Sequence, residues 1–123
     1  MMLKHISIEQ LAQPCLTRYR GREAFLGLEK YLEAGPVEID FSKCETVSLS
    51  FLDELVTNII QSNNLERVAF HMLDQMVEGK LSRVAGIRNV TLYCRQRGRA
   101  VHRVVPKLPS SKKATFVASK ALL

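Results

Sequence analysis

The feature that most limits the architecture is a repeated change of hydrophobic period along the chain. Leu3-Lys4-His5-Ile6-Ser7-Ile8 alternates apolar with polar residues, the period of a strand with one buried face. From Gly21 the period lengthens, and Ala24, Phe25, Leu28, Tyr31 and Leu32 form one helical stripe. Gly35-Pro36 ends that stripe, since Gly suits the position just past a helix and Pro cannot continue one. Val37-Glu38-Ile39-Asp40-Phe41 returns to a strand pattern. Phe51, Leu52, Leu55, Val56, Ile59 and Ile60 then return to a helix, broken at Ser62-Asn63-Asn64. Residues 67–72 read as a strand, Leu73, Met76, Val77, Leu81 and Val84 as a helix, and Val90-Thr91-Leu92-Tyr93-Cys94 as a last strand. Strands alternating with helices predict an α/β layer structure with a mixed or mostly parallel sheet. Residues 15–19, after Pro14, read as a further short strand paired with the first as an antiparallel edge.

Charge divides the chain unevenly. Of the 123 residues, 46% are hydrophobic and 24% charged, the balance of a globular domain, and the formal net charge is +6. Residues 1–94 hold ten Lys/Arg against twelve Asp/Glu, a net −2, whereas residues 95–123 hold eight Lys/Arg and no acid. The spacing therefore predicts one domain over 1–94 and a basic C-terminal extension over 95–123. Arg95, Arg97, Arg99, Arg103, Lys107, Lys112 and Lys113 are the candidate nucleic-acid contacts, acting through general electrostatics that fade with salt. No apolar run approaches the ~20 residues of a membrane span, and Glu9 interrupts the start before a signal sequence develops. Cys15, Cys44 and Cys94 are few and far apart, as expected of thiols in a reducing cytoplasm.

Enzyme chemistry finds no support in the motifs. His5, His71 and His102 have no partner at i,i+4 and no Cys-x-x-Cys occurs, so no metal site is expected. Gly79-Lys80-Leu81-Ser82 matches only the end of a phosphate loop, and no nucleophile elbow is present. No catalytic residue and no cofactor are expected. The informative segment is VEIDFSKCETVSLSFLDEL, residues 37–55. Ser50-Phe51-Leu52-Asp53 has the form of a capping box, in which Ser50 caps a helix and Asp53 reaches back. A hydroxyl at a helix N-terminus also suits a phosphate, because free N–H groups and the helix dipole attract anions.

Residues 16–55 carry a resemblance. Arg18-Tyr19-Arg20-Gly21-Arg22 followed by a helix, then IDFSKCETVSLSFLDEL, resembles the STAS-like family of bacterial proteins of unknown function. More distantly the segment is similar to the STAS domains of anti-sigma-factor antagonists. The resemblance implies a STAS-like fold, a small mixed sheet of four to five strands with helices packed mainly on one side. It also implies a non-enzymatic regulatory module that binds a partner protein, an anti-sigma factor or kinase-like ATPase. In those antagonists a serine at the start of the corresponding helix is phosphorylated. Carried over, Ser50 takes that place, Ser48 is the other candidate, and Asp40 matches the acidic residue at the strand end. Phe51, Asp53 and Glu54 complete the expected partner-binding set, with Ser48-Leu49-Ser50-Phe51 standing where the antagonists have Asp-Ser-Ser-Gly.

Overall fold

Strand and helix follow one another in the order that the changes of period set. A computed structural model describes residues 3–44, 46–72, 75–96 and 102–104. Its elements are β1 (Lys4–Ser7), α1 (Arg18–Ala34), β2 (Val37–Asp40), α2 (Leu49–Gln61), β3 (Val68–Met72), α3 (Gln75–Arg88), β4 (Leu92–Gln96) and β5 (His102–Val104). The sheet order is β1-β2-β3-β4-β5; the first three pairings are parallel and the last is antiparallel. Right-handed crossovers between successive neighbouring strands put every connecting helix on the same face. The expected mixed sheet with helices on one side is therefore what the chain forms.

Register then sorts the side chains. Ile6, Ile39, Phe70 and Cys94 stand side by side across β1 to β4, and all are buried. They share one core with Ala24, Phe25 and Leu28 of α1, Phe51, Leu52, Leu55, Val56 and Ile59 of α2, and Leu81, Val84 and Ala85 of α3. Successive side chains of a strand point to opposite faces, so the intervening positions belong to the other face, which is uncovered among the described residues. There His5 aligns with Glu38, Ala69 and Tyr93, and Ser7 aligns with Asp40, His71 and Arg95.

Two boundaries differ from the expectation. Residues 15–19 do not make an antiparallel edge with β1: Cys15 forms a single parallel bridge to Val47, and α1 already begins at Arg18. Thr17 caps that helix, its hydroxyl accepting from the Arg20 N–H, so its extended backbone is a cap conformation. The antiparallel edge lies at the other end of the sheet. β4 runs past residue 94 to Gln96, and β5 adds residues 102–104 to the same sheet. The helix ends, in contrast, fall where the polar residues mark them. Asn63 (φ 62°) and Asn89 (φ 56°) take the left-handed position that closes α2 and α3, with Asn64 N–H bonded to Ile59 and Val90 N–H bonded to Ala85.

α1 and α2 approach closely at Gly21. A Cβ there would lie 2.6 Å from the Phe51 carbonyl oxygen and 3.0 Å from Glu54 Cβ. Alanine would normally strengthen a helix interior by about 1 kcal/mol over glycine. Here we expect Gly21→Ala to destabilise the protein by about 1–3 kcal/mol, as overpacking does, measured by urea unfolding. A more stable variant would show that the helices can move apart freely.

Candidate functional site

Chemistry-bearing side chains gather in two places, the rim at the start of α2 and the uncovered sheet face. The rim is built by two helix caps lying side by side. Ser48 caps α2: its hydroxyl accepts from the Phe51 N–H at 3.0 Å and donates to the Leu16 carbonyl at 2.8 Å. The Ser48 N–H donates to the Cys15 carbonyl at 2.9 Å, and Lys80 of α3 bonds the Val47 carbonyl at 2.7 Å. The loop before α1 is thus fastened to the loop before α2. Beside it, beyond the ends of β1 and β2, opens a cleft of about 400 Å³ lined among others by Glu9, Cys15, Leu16, Lys43 and Cys44.

The capping box centred on Ser50 does not form. The cap is Ser48, two residues earlier, which leaves Ser50 exposed in the first turn of α2. Asp53, expected to reach back to the cap, is instead buried and bonded to two guanidinium groups. Arg88 of α3 donates from Nε to Oδ1 at 2.7 Å and from Nη2 to Oδ2 at 2.6 Å; Arg18 of α1 donates from Nη1 to Oδ2 at 2.8 Å. Phe51 is fully buried in the core. The expected partner-binding set is therefore split. Ser50 and part of Glu54 face outward, Phe51 and Asp53 lie inside because the apolar stripe of α2 turns them there, and Asp40 stands on the uncovered sheet face. Sequence reading missed the exposed apolar residues of the rim, Leu16 (44% exposed) and Tyr19 (67%).

The uncovered face holds a second group. Glu38 is 1% exposed and takes two hydrogen bonds from Arg95, at 2.7 and 2.8 Å, while His5 Nδ1 lies 3.0 Å from its Oε1. Burial alone would raise the Glu38 carboxyl, but Arg95 and the nearby His5 and His71 hold it below the usual range. Burial likewise opposes, and the Ser42 hydrogen bonds with the two histidines outweigh, so that the Asp40 carboxyl also sits low. His5, Asp40 and His71 each present one ligand atom within 4.8 Å of the others. No local sequence signal marks this cluster, since its residues come together only when the parallel register sets one face of β1, β2 and β3 side by side. The absence of an i,i+4 histidine pair bears only on helices.

Of the expected basic contacts, Arg95 of β4 is held by Glu38 of β2, and Arg103 stands in β5. Arg97, Arg99, Lys107, Lys112 and Lys113 lie outside the described residues. Burial, first among several causes, pushes the Cys15 thiol up, and it pushes Cys94 up to about 12, so both stay protonated near neutral pH. Among the described residues no helix is long and apolar enough to cross a membrane.

Two outcomes test this geometry. Ser48→Ala should cost about 1–2 kcal/mol, since it removes a cap and leaves the Leu16 carbonyl without its donor, whereas Ser50→Ala should change stability by less than about 0.5 kcal/mol. Urea unfolding of both variants measures the contrast. Arg88 hydrogen bonding, against burial and with help from Arg18, holds the Asp53 carboxyl below the usual carboxylate range. A depressed folded pKa gives stabilisation that is complete above the unfolded value of about 3.9 and is lost as the pH falls through the folded value. Asp53→Asn should therefore lower stability by about 2 kcal/mol at neutral pH, the half-exposed arginines recovering some hydration. Thermal melts at decreasing pH should show the gap to the wild type closing below about pH 4.

Comparison with known proteins places this arrangement. A family model described as a STAS-like domain of unknown function (DUF4325) matches residues 23–78. No curated protein and no solved structure gives a significant match. The matched stretch holds most of α1, all of β2, α2 and β3, and the loop that carries Ser48. Over that stretch the chain matches the family of STAS-like domains of unknown function.

Proposed function

We propose that this domain is a regulatory protein-interaction module whose partner docks on the rim at the start of α2. The observation that carries the reading is the exposure of Ser50 in the first turn of α2, together with Leu16 in the segment that Ser48 fastens alongside and Tyr19 in the first turn of α1. Two outward apolar side chains next to a helix N-terminus supply what a docking patch needs, a desolvated anchor and a polar feature that fixes orientation. The partner is of the anti-sigma or kinase-like ATPase class, by the resemblance of the IDFSKCETVSLSFLDEL segment.

The same geometry separates the two serines. The Ser48 hydroxyl is spent on two hydrogen bonds, so modification there would unfasten the rim. Ser50 is exposed, and among the described residues its hydroxyl takes no hydrogen bond. A phosphate on it would meet the positive end of the α2 dipole. Asp53, which from sequence alone would repel such a group, is neutralised by Arg18 and Arg88. Ser50 is thus the residue on which a phosphorylation switch would act.

Retention of a native-host partner on immobilised protein at physiological salt tests the reading. The paired variant Tyr19→Glu with Ser50→Arg should lose at least about tenfold in retained partner, and Ile87→Glu, at an equally exposed apolar site on α3, should retain it. Equal losses in both variants, or in neither, would remove the rim from the account.

A further inference from the structure

We propose that the uncovered sheet face carries a divalent transition-metal site, with His5, Asp40 and His71 as ligands and Glu38 orienting His5. The three ligands come from β1, β2 and β3, which the parallel register sets side by side. His5 Nε2 lies 3.8 Å from Asp40 Oδ2, and His71 Nδ1 lies 3.2 Å from Asp40 Oδ1. Zinc at its usual 2.0–2.1 Å from nitrogen and oxygen requires ligand atoms about 3.3 Å apart in a tetrahedron. The two observed separations, one to each carboxylate oxygen, lie on either side of that value, and the three ligand atoms lie within 4.8 Å of one another. The imidazole rings meet edge to face, with centroids 5.9 Å apart and planes at 80°, and each has a nitrogen near the Asp40 carboxylate.

Two further observations point to a ligand there. Both ring nitrogens of His71 are buried, and among the described residues neither has a hydrogen-bond partner; the Asp40 contact lacks hydrogen-bond alignment. A buried imidazole with no aligned hydrogen bond on either nitrogen is unfavourable unless another group meets it. Second, His5 has the surroundings of a metal-binding histidine. Its Nδ1 lies 3.0 Å from the Glu38 carboxylate, a placement that favours a proton on Nδ1 and turns Nε2 toward Asp40. Glu38 is itself held by both Arg95 contacts, so the orienting group is rigid.

The donor set selects the metal class. Two imidazoles and one carboxylate suit zinc, cobalt, nickel or ferrous iron, whereas calcium and magnesium prefer oxygen donors throughout. Three protein ligands leave at least one coordination position for water or an outside group. With His5 half-exposed, that position faces solvent. Binding would link the three strands across their uncovered face, so the metal would also raise thermal stability.

The test is calorimetric titration of the full chain, freed of metal by a chelator, with zinc chloride near neutral pH. One equivalent should bind and raise the melting temperature. His5→Ala, in which circular dichroism should confirm an intact fold because the side chain is half-exposed, should abolish that binding. His71→Ala should do the same, Glu38→Gln should weaken it ten- to a hundredfold, and Cys15→Ser, Cys44→Ser and His102→Ala should leave it unchanged. Cobalt in place of zinc should give visible bands without the intense charge-transfer absorption of thiolate ligation. The site is overturned if the folded wild type takes up no zinc, if His5→Ala binds as tightly as the wild type, or if the cobalt spectrum shows thiolate.

Discussion

Asp53 is the constraint on which the helical layer depends. It lies in α2, between its neighbours, and takes hydrogen bonds from Arg18 of α1 and Arg88 of α3. Burying a carboxylate without partners would be strongly unfavourable, so the arrangement holds only while both flanking helices present their arginines at fixed positions. An apolar residue could fill the same volume and pack as tightly. It would not dictate which faces of α1 and α3 turn inward. The close approach of α1 to α2 at Gly21 brings Arg18 within reach, so a steric feature and an electrostatic one select the same helix arrangement.

The rim inherits its shape from that layer. With α1 drawn against α2, the segment ahead of α1 comes alongside Val47 and Ser48, and the bridge and cap bonds lock it there. Leu16 and Tyr19 are exposed as a result of where their backbone is anchored. Their hydropathy alone would have sent them inside. A docking patch of this kind is made by two caps in contact, and neither helix would present it alone.

The elements most legible in the sequence were those whose pattern is local. β2, α2 and β3 follow from period and from the breakers at Gly35-Pro36 and Ser62-Asn63. The start of α2 was misplaced because Ser50 has an Asp three residues on and Ser48 has a Phe. What decided between them was the Leu16 carbonyl, thirty-two residues away. Thr17 misled for a similar reason, since an N-cap has the extended backbone of a strand. β5 was hidden in a basic stretch whose three strand residues include His102 and Arg103. The cluster of His5, Asp40 and His71 was illegible in principle, because it exists only once strand order and register are known.

Strand order that equals chain order has a consequence for how the molecule is made. During synthesis, each new parallel strand from β2 to β4 finds its neighbour already emerged, so pairing never waits for a distant segment. The arginine lock behaves differently. Arg18 can reach Asp53 as soon as α2 forms, but Arg88 leaves the ribosome thirty-five residues after its carboxylate. A nascent chain ending inside α3 would thus hold its first three strands with α2 only half secured, and the last turn of α3 is what completes the arginine lock.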